Sequence, residues 1–281
     1  MRSIAKRLLT ATIALPFLAL IVILLPYCNH FAFFLVIIFA DIVGTIEMKN
    51  NILEKKGEVP FYSYLGICLP IIQYIQIYKI PEIENLVFYS LSVVIGLVFA
   101  IEVFYGAKDN FTGSIGRIGR TILCIIYPSF LAVFLTKLCF LENASWHIVY
   151  FLALVFGADT FAYFFGMAFG KNNKGFVKVS PNKSIAGYCG GILVPAIIGT
   201  IVPVLFGGVF SYSSFNGFLI GLTTAIFACI GDLIESCFKR ASGIKDSGFI
   251  IPGRGGMLDS IDSILIAAPF YYLLTEFFLG V

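Results

Sequence analysis

Long apolar runs, each broken by a short polar or charged stretch, follow one another along almost the whole chain. Runs of the length needed to cross about 30 Å of hydrocarbon as helices fall at roughly 8–26, 30–46, 60–78, 85–105, 119–136, 146–166, 185–206, 213–234 and 258–277. Inside a bilayer the backbone has no water to bond, so such a run must satisfy its own N–H and C=O groups as a helix. The pattern therefore predicts an all-α polytopic membrane protein of about nine transmembrane helices, the second being the shortest. No internal repeat or linker divides it. The expectation is one membrane domain over 1–281, with amino-terminal spans over about 1–140 and a carboxy-terminal half over 146–281 that carries the chemistry.

Charge orients this array, because short cytoplasmic loops collect Lys and Arg. Of the 19 Lys and Arg residues, all but Lys79 and Lys137 lie at the amino terminus or in the second, fourth, sixth and eighth connections. The amino terminus is thus expected in the cytoplasm and the carboxy terminus outside, in a bacterial inner membrane. The basic start (Arg2, Lys6, Arg7) and apolar core of residues 1–25 read as a retained first helix, since no small-residue cleavage site stands out.

Composition agrees: 59% of residues are hydrophobic and 12% charged, against about a quarter charged in soluble domains. The net charge of +3 is mostly topological, and no basic cluster with interleaved aromatics points to nucleic acid. The seven cysteines form no C-x-x-C pair and read as small apolar residues. His30 and His147 fall at the outer face, so cytoplasmic chemistry would run on carboxylates and cations.

The polar interruption at 231–263, GDLIESCFKRASGIKDSGFIIPGRGGMLDSIDS, is where that chemistry concentrates. On a helix, Asp232, Glu235, Ser236 and Lys239 share one face. A loop with Arg240, Lys245, Asp246 and the turn Pro252-Gly253-Arg254-Gly255-Gly256 follows, then Asp259 and Asp262 at i, i+3. Hard carboxylate oxygens suit Mg²⁺, Lys and Arg neutralise phosphoryl oxygens, and glycine backbone approaches phosphate closely. The combination reads as a polyphosphate and metal site; helix caps and topological charges would be the plainer account.

A second informative stretch is 157–187. Asp159 lies inside a span, where a carboxylate is expensive without a metal, a cation or water. Tyr163 follows at i+4, and a basic loop with Lys171, Lys174, Lys178, Ser180 and Lys183 comes next. Gly157, Gly166 and Gly170 read as close helix packing. Asp41 and Glu102 read as carboxylates near span ends reaching water, at the level of the main site. The stretch 49–60 reads as solvated, and 106–120 as a flexible connector, a lid over phosphate being the other reading.

Ser236, Lys239, Arg240, Lys245, Asp246, Gly248, Pro252, Gly253, Gly255, Gly256, Asp259 and Asp262 together resemble the signature of phosphatidate cytidylyltransferases (CDP-diacylglycerol synthases). Asp159, Thr160, Ala162, Tyr163, Gly166, Ser180, Pro181, Lys183 and Gly187 are similar to a second motif of that family, in the same order. The chain departs from the family at Asn182, Ser184, Ile185, Ala186, Arg254 and Ser260. The resemblance implies transfer of a cytidylyl group from CTP to phosphatidate, with Asp246, Lys239, Arg240, Lys245 and Asp232 as catalytic residues. Ser236, Pro252 to Gly256, Asp159, Tyr163, Ser180 and Lys183 would hold substrate. Asp232, Asp246, Asp259 and Asp262 would hold Mg²⁺, alone or with a second cation. The expected partners are CTP, phosphatidate and the bilayer, with a homodimer as a further expectation. A CTP-dependent lipid kinase, a transporter and an inactive lipid-binding relative remain as alternatives.

Overall fold

The computed structural model describes residues 16–251 and 255–280. The first half of the first expected span, and Pro252, Gly253 and Arg254 of the expected site, lie outside them.

Among the described residues the chain is helical, with no strand beyond two isolated bridges. Residues 16–24 form α1. Next comes α2 (Tyr27–Glu47), which runs on through a π turn (Met48–Leu53) and a 3-10 turn (Glu54–Lys56). A 3-10 stretch (Phe61–Ile67) leads into α3 (Cys68–Lys79), and α4 spans Leu86–Tyr105. Helices α5 (Ser114–Cys124) and α6 (Leu131–Leu138) are joined by a π segment, Ile125–Phe130, around Pro128. The longer α7 (Ala144–Phe169), α8 (Ile185–Leu205), α9 (Ser214–Ser242) and α10 (Leu258–Leu279) complete the chain.

Among the described residues, seven helices are long and apolar enough to cross a membrane: Tyr27–Lys56, Leu86–Asp109, Ser114–Leu138, Ala144–Phe169, Ile185–Leu205, Ser214–Ser242 and Leu258–Leu279. Each overlaps one expected span. The segment expected at 60–78 is instead a 3-10 turn followed by a 12-residue α-helix, and only the end of the first expected span is described. Large apolar side chains such as Phe39, Val93, Phe104, Leu193 and Val204 point outward, as they do where hydrocarbon replaces water.

Of the stretches expected as loops, 49–60 is π and 3-10 helix over 49–56; its Asn50, Asn51, Glu54, Lys55, Lys56 and Glu58 are exposed, as expected of solvated residues, while Ile52, Leu53 and Val59 are buried. Residues 106–120, by contrast, are not a flexible connector. Arg117, buried, donates from Nε and Nη2 to Glu102 Oε1 at 2.9 and 2.7 Å and from Nη1 to Asp109 Oδ2 at 2.6 Å. Tyr62 donates to Glu102 Oε2 at 2.9 Å. Nor does Asp41 reach water: it is 1% exposed, and its Oδ1 accepts from Ser129 at 2.8 Å and Thr45 at 3.3 Å. Glu102 and Asp41 thus belong to the interior of the amino-terminal half and not to the main polar site.

The carboxy-terminal helices meet through glycine. A Cβ on Gly191 would stand 2.8 Å from Ala158 O, one on Gly217 2.1 Å from Gly199 O, and one on Gly231 2.6 Å from Asp262 O. Small residues let backbones approach where lipid removes the hydrophobic drive for helix association. One apolar cluster, including Phe33, Ile37, Ile148, Phe151, Leu265 and Tyr271, runs through both halves.

Candidate active site

Three sequence features bring the polar groups to one end of the bundle. Helix α9 continues past its apolar part to Ser242 and stops at Gly243, whose φ of 71° closes the last turn with N–H bonds to Arg240 O and Lys239 O. Helix α8 begins at Ser184, whose Oγ accepts from Gly187 N at 3.1 Å. Helix α10 begins with Leu258, Asp259 and Asp262 in its first turns. The end of α9, the starts of α8 and α10 and the loop residues 243–251 and 255–257 therefore face one another.

The first cluster is built on α9 and α10. Lys239 forms an ion pair with Glu235 one turn away and donates to Asp259 Oδ1 at 2.5 Å. Asp259 Oδ2 accepts from Gly256 N at 2.7 Å and Ser247 N at 2.8 Å, and Ser247 Oγ stands 3.0 Å from it. Gly255, with φ of +114°, makes the turn that allows this: a Cβ there would lie 2.5 Å from Asp259 Oδ2.

The second cluster joins four elements. Lys183, in the loop before α8, forms an ion pair with Asp232 of α9. Burial works against the Lys183 charge, yet Asp232, with a contribution from Asp159, holds its pKa above the ordinary lysine value. Asp262 of α10 is buried and feels the negative charges of Asp232 and Asp159. Acids from α7 and α9 thus act on Lys183, and Asp262 of α10 stands near the same two acids.

This gathers Asp159, Lys183, Asp232, Lys239, Asp259 and Asp262 from the expected set. Ser236 is half-buried on α9, while Arg240, Lys245 and Asp246 are exposed at the mouth of the same end. Tyr163 is exposed on α7, and Ser180 is half-buried in the loop, its N–H on Val177 O. Pro252, Gly253 and Arg254 are not described. No three His, Cys, Asp or Glu side chains converge to hold a metal among the described residues. Lysine ammonium groups stand on Asp232 and Asp259, where the sequence placed a metal. The donor chemistry suits a hard cation all the same, because burying Asp262 beside two further carboxylates is unfavourable without positive charge.

The sequence reading missed Glu47. This buried residue ends α2, and its carboxylate accepts from Met257 N at 3.0 Å, Leu258 N at 2.8 Å and Ser247 Oγ at 2.9 Å. It missed Asn51 too, whose side chain donates to Ser247 O at 2.6 Å. The available signal was an acid at the end of an apolar run, the same feature that drew attention to Asp41 and Glu102.

Comparison with known proteins adds an independent line. The pattern of the Cytidylyltransferase family matches residues 5–278. The chain is 39% identical over 132 residues to the phosphatidate cytidylyltransferase of Bacillus subtilis, a stretch covering 47% of this chain and 48% of that protein. Over 273 residues it is 30% identical to the phosphatidate cytidylyltransferase of Staphylococcus aureus, covering 95% and 97%. With that of Thermotoga maritima the figures are 28% over 284 residues, covering 100% and 99%. The match therefore spans about half of the Bacillus relative and nearly all of the other two.

Proposed function

This chain belongs to the cytidylyltransferase family, and on that premise we propose that it transfers the cytidylyl group of CTP to phosphatidate, giving CDP-diacylglycerol and pyrophosphate. The observation that carries the proposal is the meeting of Lys183–Asp232 and Lys239–Asp259 beside a glycine-rich loop at one end of an apolar bundle. A diacyl lipid keeps its tails against the outward-facing apolar side chains while its phosphate enters the polar end.

The reaction is an in-line displacement. An oxygen of the lipid phosphate forms a bond to the α-phosphorus, and the bond from that phosphorus to the bridging oxygen breaks. The electron pair leaves with pyrophosphate. Both reactants are anions, so the protein's task is to cancel repulsion and hold them collinear. Lys239 and Lys183 supply fixed positive charge inside, with Arg240 and Lys245 at the mouth. The lipid phosphate is already ionised at neutral pH, so no strong general base is required. Asp232, Asp246, Asp259 and Asp262 are the carboxylates that would hold Mg²⁺, which when bound would supply positive charge against the phosphates and the leaving group.

The same reading makes the chain one membrane domain of nine spans, the first and third completing the seven long helices, with the polar end in the cytoplasm. Support for that orientation is the side on which the basic residues fall.

The test is pyrophosphate release by the purified protein in detergent with phosphatidate, CTP and Mg²⁺. Release is expected to require all three and to fall at least about a hundredfold in Asp246→Asn, the scale of losing one group that stabilises transferred charge. Formation of CDP in place of pyrophosphate would identify a lipid kinase instead.

A further inference from the structure

Glycines in phosphate sites are ordinarily explained by the room that phosphate needs. At Gly248 and Gly256 that room is taken by the protein itself. A Cβ on Gly248 would lie 2.2 Å from Glu47 Oε1, and one on Gly256 2.4 Å from Glu47 Oε2 and 2.1 Å from Ser247 Oγ. Neither position shows the left-handed backbone of Gly255, so space and not φ excludes a side chain there.

The carboxylate so admitted is well used. The first N–H groups of a helix have no intrahelical acceptor, and negative charge beside them is favourable. Glu47 accepts from two of them at the start of α10, Met257 N and Leu258 N, and from Ser247 Oγ. Ser247 in turn donates its N–H to Asp259, which holds Lys239, while its hydroxyl, with one proton to give, stands 2.9 Å from Glu47 and 3.0 Å from Asp259 Oδ2. A continuous path of bonds therefore leads from α2 to Lys239. Asn51 on Ser247 O, and Ser242 donating to Ile52 O at 2.8 Å, brace it from both sides.

We infer that Gly248, and with it Gly256, is kept free of a side chain to admit Glu47, and that Glu47 is a positioning residue of the site, fixing Ser247 and the start of α10 so that Asp259 and Lys239 stand in working register. The inference rests on the reading of this end as the cytidylyl-transfer centre. It makes the amino-terminal half part of the catalytic unit and not only its membrane support.

Size compensation tests it in the full-length protein. Gly248→Ala is the cleaner probe, because its nearest obstacle is Glu47, whereas a Cβ on Gly256 also meets Ser247 and the Gly248 backbone. Glu47→Gln, nearly isosteric, is expected to lower kcat on the order of tenfold to a hundredfold, the scale for displacing catalytic groups by about an ångström, with KM for CTP changing less. Gly248→Ala is expected to lose activity similarly, and Glu47→Asp in the same chain to restore at least about tenfold of it. Full activity in Gly248→Ala, or a double variant no better than the single, would overturn the inference and return the glycines to phosphate. Thermal midpoints of the same proteins keep the two readings apart. If the unaltered protein releases no pyrophosphate, the functional reading fails, while a midpoint lowered by Gly248→Ala and recovered by Glu47→Asp still upholds the fit between Gly248 and Glu47. An unrecovered midpoint removes that fit as well.

Discussion

Helices α8 and α9 meet backbone to backbone, Gly217 against Gly199 and Gly221 against Pro195 O. In the amino-terminal half, α2 meets the π segment before α6 through polar side chains, Ser129 donating to Asp41 and standing 3.2 Å from Thr45 Oγ1. Neither contact relies on apolar burial, which drives little association inside lipid. The glycine contacts leave no side chain to rearrange, so they fix helix ends at set distances, as a site assembled from α7, α8, α9 and α10 requires. The polar contacts accommodate irregular backbone: the π segments and 3-10 turns in this structure lie among these elements. Glu47 joins the two systems, a buried acid from the irregular half seated in a gap left by glycine in the regular one.

Single substitutions can break this contrast. The largest effect is expected from Gly217→Ala, whose Cβ would collide with backbone. Overpacking of this kind costs about 3 kcal/mol, so the thermal midpoint in detergent should fall and pyrophosphate release with it. A midpoint unchanged by Gly217→Ala would mean that α8 and α9 are not held at that separation. Ser129→Ala should cost about 1.5 kcal/mol, since Asp41, buried, loses its 2.8 Å donor; the same midpoint measurement, made beside the Ser129→Thr variant that keeps a hydroxyl, reads it. The smallest effect sharpens the comparison from the other direction. A Cβ on Gly44 of α2 would meet only side-chain atoms at 3.5 Å, ordinary contact, so Gly44→Ala should be neutral or gain about 0.5 kcal/mol from helix propensity. Loss of stability there would show that α2 is glycine-packed too.

Much of this was legible in the chain. The face of Asp232, Glu235, Ser236 and Lys239 is helical as the i, i+3, i+4, i+7 spacing requires, and Asp159 with Lys183 proved to belong beside it. What misled was local polarity. Glycine in 106–120 resembles a solvated connector, but Arg117 is buried and finds its partners on Glu102 and, across a tight turn, on Asp109. Polar residues that are buried because something remote satisfies them look, in sequence, like polar residues that are wet.

The sequence by itself determined the helical membrane architecture, the place of most spans and the residue types of the site. These follow from rules that act within one segment: hydrocarbon thickness sets the length of an apolar run, and helical periodicity sets which residues share a face. Only the tertiary structure decided that lysines stand on Asp232 and Asp259, that Asp41 and Glu102 belong elsewhere, and that Glu47 reaches the start of α10. Those facts depend on which helices are neighbours and how closely they approach. That is settled by steric fit among small residues and by the pairing of buried charges, neither of which leaves a period in the chain.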